Sequence, residues 1–283
     1  LFTLNVRDGS DYARQTLTVE VKGANDTPEL ATLSGISFTD TNADDSFSTA
    51  NASLSGSDRD TGASLSYSAD GASADTSVDG YTHAVAGDYG TLYLNSNNGD
   101  YRYAPDDAAI EGLSSTNASD EFTITVTDGT ASATQTLTAN VTGANDTPIL
   151  NAASGFSFTD TANDDSFSTA TAALDASDAD TDASLTYGLT DGVVNTSITF
   201  ACGGQTCSSS HAKTGTYGTL YLDETTGAYA YVPNDSAIEK TSSSVSEDFT
   251  LTVSDGTSSV SETVTASVVG VNDTPTMTSL AGL

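Results

Sequence analysis

Tryptophan is absent from this 283-residue chain, methionine occurs once, cysteine twice and proline five times. Only 7 Lys and Arg stand against 39 Asp and Glu, a formal charge of −32. So few cations exclude ordinary binding to nucleic acid phosphates, which needs a basic surface. No run approaches about 18 apolar residues, and no charged-then-apolar leader opens the chain. Neither a transmembrane helix nor a signal peptide is therefore expected within this stretch. Glutamate is scarce too: 31 of the acids are Asp and 8 are Glu. Glu suits helix interiors, whereas Asp, Ser and Asn compete with the helical backbone and favour turns and caps.

What is present points to strands. Ser and Thr make up roughly 30% of the chain, with 24 Gly, and Thr, Val, Tyr and Phe fit pleated sheet. Disorder is the competing expectation for so acidic a composition. Clean alternation argues against it, as in Phe122-Thr-Ile124-Thr-Val126 and Leu137-Thr-Ala139-Asn-Val141. The fold class expected is all-β.

An internal repeat organises the chain. Gly23-Ala-Asn25-Asp26-Thr-Pro28 returns as Gly143-Ala-Asn145-Asp146-Thr-Pro148 and Gly270-Val-Asn272-Asp273-Thr-Pro275, at spacings of 120 and 127 residues. Tyr89-Gly-Thr-Leu-Tyr-Leu94 returns as Tyr217-Gly-Thr-Leu-Tyr-Leu222, and Ser57-Asp58-Arg-Asp60 as Ser177-Asp178-Ala-Asp180. A period this long is a domain rather than a solenoid coil. The expected division is the last two strands of a preceding repeat (1–27), complete repeats at 28–147 and 148–274, and the start of a further repeat (275–283). The abrupt start at Leu1 reads as a piece of a longer tandem array.

Seven strands are expected per repeat, in the first near 36–38, 47–54, 65–67, 91–94, 101–103, 121–126 and 133–141. Turn signals separate them, notably Asn97-Asn-Gly99 and Asp128-Gly129. An immunoglobulin-like sandwich follows, with the irregular stretch 70–90 open to an extra strand pair. Strands running alternately up and down would gather the linker, B–C and F–G loops at one pole. That pole collects Asn25, Asp26, Asp58, Asp60 and Asp128 in the first repeat, and Asn145, Asp146, Asp178, Asp180 and Asp255 in the second. The opposite pole collects Asp40, Asp44 and Asp45 with Asp106, Asp107 and Asp120, and the copies Asp160 and Asp164 stand near Asn272 and Asp273. Carboxylates about 4–5 Å apart repel by about 4 kcal/mol per pair at an effective dielectric near 20. A hard cation turns that repulsion into attraction, and Ca²⁺ takes 6–8 oxygens. The expectation is calcium at the joints between repeats. The plain alternative for each acid alone is a solvated or turn-capping side chain.

The stretch 89–148, with Tyr-Gly-Thr-Leu-Tyr-Leu, Gly-Asp-Tyr-Arg-Tyr-Ala-Pro-Asp, Phe-Thr-Ile-Thr-Val-Thr-Asp-Gly and Gly-Ala-Asn-Asp-Thr-Pro in order, resembles a VCBS repeat. That family comprises cadherin-like modules of very large bacterial surface adhesins. The copy at 217–275 resembles it equally, and 2–28 resembles its tail. The resemblance implies calcium held by linker Asn-Asp and by Asp-x-Asp, an extracellular, cell-surface location, and a spacing or adhesive role with neighbouring repeats as partners. Two departures stand out: the Asn that follows Asp-x-Asp in cadherins is missing, and the far-pole acids do not align with theirs.

An excess of residues near 197–214 carries the two cysteines, Cys202-Gly-Gly-Gln-Thr-Cys207. A disulfide-closed hairpin is favoured over zinc with His211, which would lack a fourth ligand. His83 and His211 are expected in non-equivalent irregular loops with no nucleophile motif, so no enzyme is expected. Two further readings stay open: a carbohydrate- or protein-binding adhesin head, and a filament in which strands within 1–27 complete a neighbouring chain's sandwich.

Overall fold

The computed structural model describes residues 1–275 and 277. The expected start of a further repeat, 275–283, lies outside the described residues except at 275 and 277. The chain opens with an antiparallel hairpin of β1 (Phe2–Asp8) and β2 (Asp11–Leu17), exposed throughout. Next come β3 (Glu29–Leu30), β4 (Ile36–Thr39), β5 (Ala50–Ser53), β6 (Gly56–Ser57), β7 (Ser66–Ala69), β8 (Ser73–Ala74), β9 (His83–Ala86), β10 (Gly90–Leu94) and β11 (Asp100–Pro105). A single helical turn, α1 (Asp107–Glu111), precedes the long strands β12 (Asn117–Thr127) and β13 (Ser132–Thr142).

The same series then returns: β14 (Ile149–Leu150), β15 (Phe156–Thr159), β16 (Ala170–Ala173), β17 (Ala176–Ser177), β18 (Thr186–Leu189) and β19 (Val193–Val194). An added hairpin, β20 (Thr199–Cys202) and β21 (Gln205–Ser208), interrupts it. It resumes with β22 (His211–Thr214), β23 (Gly218–Leu222), β24 (Ala228–Pro233), α2 (Asp235–Ile238), β25 (Val245–Ser254) and β26 (Ser259–Val269).

Each series builds a four-stranded and a five-stranded sheet. The orders are β4-β13-β12-β7 and β5-β11-β10-β9-β8, then β15-β26-β25-β18 and β16-β24-β23-β22-β19. In the second series β15 runs parallel to β26, with Phe156 opposite Ala266 and Phe158 opposite Val268. The architecture is all-β tandem sandwiches, as the alternation of apolar residues implied. On β12, Phe122, Ile124 and Val126 are buried while Thr123 and Glu121 face water. On β25 and β26 the buried set is Phe249, Leu251 and Val253 with Val264, Ala266 and Val268. Each buried Val, Leu, Ile or Phe here contributes about 1.5–3 kcal/mol. Gly99, at φ +78°, turns β10 into β11 and lies against the Tyr67 ring, where a side chain would be both strained and crowded.

Two compact units divide the chain, and their boundary runs inside the first repeat. One comprises residues 1–36, 49–104 and 120–138; the other comprises 37–48, 105–119 and 139–283.

One detail differs from the sequence expectation. His83 and His211 are not in irregular loops: each begins a strand, opposite Leu94 and Leu222 respectively. They occupy equivalent places, and the extra residues just before His211 disguise this by lengthening the spacing. The stretch 70–90 holds the extra strand pair that the sequence left open, β8 with β9.

Candidate metal centre

The linker preceding β14 is tied down by its own backbone. Asp146 N–H donates to Asp180 Oδ2 at 2.8 Å, and Asp180 N–H donates to Asp178 Oδ1 at 3.0 Å. Pro148 keeps the chain extended here, so these bonds hold the Asp146, Asp178 and Asp180 carboxylates close together. Asn145 donates its amide to the Asp146 carbonyl at 2.6 Å and to Asp255 Oδ2 at 2.9 Å. Asp255 Oδ1 also accepts the N–H groups of Thr257 and Ser258, both at 2.6 Å.

Three more acids come from 37–48 and α1, within the same compact unit. Asp40 accepts the N–H of Thr41 at 2.9 Å and of Ala144 at 3.0 Å, and Asp45 accepts the Thr41 N–H at 2.8 Å. Glu111 sits in the last position of α1, which starts because Asp106 caps the Ala109 N–H. One oxygen from each of Asp40, Asp45 and Glu111 lies within 4.8 Å of the others.

The electrostatics of these six acids are those of a site lacking a counter-charge. Burial pushes the Glu111 carboxyl up to about 7, with the Asp40 and Asp146 charges adding to it. Burial pushes Asp146 up to about 6, helped by the charges of Asp40, Asp180, Asp178 and Asp45. Asp180 is raised for the same first reason. Asp40, Glu111, Asp146 and Asp180 are 3–6% exposed, and the ion pairs among the described residues, His211–Glu224 and Lys213–Asp191, involve none of them. Both oxygens of Glu111, both of Asp146, Oδ2 of Asp178 and Oδ1 of Asp180 are buried without a hydrogen-bond partner. An unpartnered buried carboxylate oxygen is costly, and six together match the donor set of a hard divalent cation.

A second cluster repeats the first. Asp160, Asp165 and Glu239 bring their oxygens within 4.8 Å. Asp165 N–H donates to Glu239 Oε1 at 2.9 Å, and Asp160 accepts the Val271 N–H at 3.0 Å. Asp160 Oδ1 and Asp273 Oδ1 are buried and unpartnered. Glu239 is raised by desolvation first, then by the charges of Asp160, Asp273 and Asp164. Asn272 donates its amide to the Asp273 carbonyl at 3.1 Å. Around the first linker the backbone pattern recurs: Asp26 N–H to Asp60 at 2.7 Å, Asp60 N–H to Asp58 at 2.7 Å, and the Asn25 amide to Asp128 at 2.9 Å.

The structure therefore brings together Asp40, Asp146, Asp178 and Asp180, and places Asp160 beside Asp273. Asp44 and Asp164 are exposed, although the Asp164 charge still reaches Glu239. The next residues, Asp45 and Asp165, turn inward instead because each carboxylate caps the N–H four residues earlier. Asp128 and Asp255 are satisfied by donors of the chain itself. The N–H groups of Ala131 and Thr130 and the Asn25 amide hold Asp128 below the usual carboxylate range. Burial of Asp255 is outweighed by Ser258 N–H and the Asn145 amide, with the same result. Asp106 caps α1, Asp107 accepts the Phe47 N–H at 3.2 Å, and Asp120 accepts the Tyr103 hydroxyl at 2.6 Å. Glu111 and Glu239 were missed by sequence reasoning, although the matched triplets Ala109-Ile-Glu111 and Ala237-Ile-Glu239 mark them. Cys202 and Cys207 are joined in a disulfide, Cα to Cα 5.9 Å, so neither thiol is available to zinc.

No protein-family model matches the sequence, and no curated protein matches it. Solved structures align at low similarity. An endo-fucoidan hydrolase from glycoside hydrolase family 107 aligns at 14% identity over 95% of this chain, with a TM-score of 0.29. The protocadherin gamma-B4 extracellular domain aligns at 17% identity over 92%, TM-score 0.35. Human protocadherin-24 EC1-2 aligns at 13% over 88%, TM-score 0.31. This chain spans about a third of the first two, 33% and 36%, and 99% of the third.

Proposed function

We propose that this chain is a run of calcium-braced, VCBS-type, cadherin-like spacer modules from a long extracellular adhesin of a bacterial surface. The observation that carries the reading is the set of six buried, unpartnered carboxylate oxygens on Glu111, Asp146, Asp178 and Asp180 beside Asp40 and Asp45. Residues numbered in the first repeat and residues of the next linker supply them jointly. Calcium, when bound, supplies the positive charge that these acids lack. The chain's own residues do the rest. Asp40 and Asp45 hold 37–48 in place through Thr41, Asp40 fastens the linker through Ala144, and Asp180 fastens it through Asp146. An ion shared by both sets would stiffen the run where one repeat passes into the next. No catalytic role is assigned, since the prominent acid clusters recur in both repeats and serve the same bracing.

The test is calcium titration by calorimetry combined with small-angle scattering of the same sample. Wild-type protein should bind calcium, and its largest dimension should become longer and better defined. Asp178→Ala with Asp180→Ala should remove one class of site. A protein that binds no calcium at millimolar concentration overturns the reading.

A further inference from the structure

The two copies differ most in the loop before β9 and β22. After Ser77 the first copy runs through 78–81 to Thr82, and after Ser197 the second runs through 198–209 to Ser210. The flanks are bonded alike: Thr82 N–H donates to the Leu94 carbonyl at 3.1 Å, and Ser210 N–H to the Leu222 carbonyl at 2.7 Å. In the second copy the longer loop is the β20–β21 hairpin. It lays Phe200 and Cys207 on Ala228 and Ala230 of β24, and all four are buried. The chain itself covers the outer face of that sheet.

The first copy has no such cover among its described residues. Where the second has Ala228 and Ala230, it has Asp100 and Arg102, both half-buried. Its short loop delivers Tyr81, whose ring centre lies 6.3 Å from that of Tyr93 at 54°. Arg102 stands opposite Asn51 on the neighbouring strand, and its Nε is buried without a hydrogen-bond partner. The Tyr81 hydroxyl approaches Asn51 Oδ1 at 3.5 Å, and Asp100 is held by the Ser53 hydroxyl and the Asn98 amide at 2.5 and 2.7 Å. Residues 89–94, which build the sheet, are identical to 217–222. The scaffold is kept while loop and outer face change together.

We propose that this outer face of β5, β11 and β10 binds a neutral saccharide chain. A sugar ring offers an apolar C–H face ringed by hydroxyls that both donate and accept. Tyr81 and Tyr93 match the first, since their rings are apolar with one polar tip. Arg102, Asn51 and Asp100 match the second, supplying a fork of donors, a mixed amide and a pure acceptor. An acidic polysaccharide is disfavoured, because one guanidinium does not offset a charge of −32. A folded protein partner is disfavoured by size, since a stable interface takes about 800 Å² per side, far more than these five side chains present. The proposal is independent of the metal reading.

The test uses the full, calcium-loaded chain, isotope-labelled for amide NMR and titrated with neutral gluco-, manno-, galacto- and xylo-oligosaccharides. At least one should shift amides confined to 78–81, β5, β10 and β11. Tyr81→Ala, in a loop and so gentle to the fold, should weaken that binding about tenfold. Arg102→Ala, which copies Ala230, should weaken it several-fold, and Arg102→Lys should restore it only in part. Tyr221→Ala in the second copy should leave it unchanged. The proposal is overturned if no neutral oligosaccharide shifts these amides, or if acidic sugars alone do. It is equally overturned if the Tyr81→Ala, Arg102→Ala double variant binds as wild type.

Discussion

At the scale of single residues, one family of side chains does two opposite jobs, and the hydrogen-bond donors around each decide which. Asp120 is 5% exposed, yet it accepts the N–H groups of Asp88 and Tyr89 and the Tyr103 hydroxyl, so its charge is spread over fixed donors. Glu247 does the same for Tyr231 and for the N–H groups of Thr216 and Tyr217. Asp120→Ala should destabilise the fold by about 2–4 kcal/mol, because it strands the buried Tyr103 hydroxyl and the part-buried N–H groups of Asp88 and Tyr89; urea unfolding in saturating calcium measures this. Around Glu111 the Asp45 N–H alone lowers the carboxyl, burial outweighs it, and the carboxyl rises from 4.5 to about 7. A carboxyl raised in the folded state holds its proton more tightly there than in the unfolded chain. Without metal, stability is therefore full below about pH 4.5 for this group and falls as the pH climbs through about 7. Melting in chelator should drop by roughly 2–5 °C across that window, discounted for partial solvent access. Glu111→Gln should flatten the drop and weaken calcium binding, so a pH-dependent melt identical to wild type would refute the assignment.

At the scale of elements, strands with Thr alternating against Val, Ile or Leu were legible because a period of two buries one face, as on β12, β13, β25 and β26. The two-residue strands β8 and β19 were not, since two residues carry no period. Nor was α1, a single turn whose signal is only a capping Asp106 before Asp107-Ala-Ala-Ile-Glu111. That omission is what hid Glu111, because an acid placed by a helical turn cannot be assigned to a pole by counting strands. Loop acids were legible as a group but not singly, for whether Asp44 or Asp45 turns inward depends on which one caps Thr41. The β20–β21 hairpin was readable from its paired cysteines, and its packing explains them: Cys207 is part of the small core with Phe200, Ala228 and Ala230. Reduction should free the hairpin and lower the melting temperature by a few degrees, about what a short disulfide loop contributes. The calcium isotherm should be untouched. If reduction abolished metal binding as well, the hairpin and the acid clusters would not be the separate elements described here.

At the scale of the whole molecule, a charge of −32 on 283 residues destabilises the fold by self-repulsion, and this repulsion has two parts that respond differently. Exposed acids are screened by simple salt, whose Debye length is about 10 Å at 0.1 M. Asp40, Glu111, Asp146 and Asp180 are buried, and single oxygens of Asp40, Asp45 and Glu111 lie within 4.8 Å of one another, so screening reaches them poorly. In chelator, raising NaCl should therefore raise the melting temperature gradually and without saturation at a stoichiometry. Calcium at matched ionic strength should add a further, saturable rise that follows RT ln(1 + [Ca²⁺]/Kd). Magnesium should reproduce little of it, since it dehydrates reluctantly and rarely accepts an all-protein carboxylate cage. If NaCl of equal ionic strength gave the whole calcium effect, the acids would be a diffuse charged surface. The six unpartnered oxygens argue otherwise, because diffuse screening leaves each of them buried and without a partner, and a coordinated ion does not.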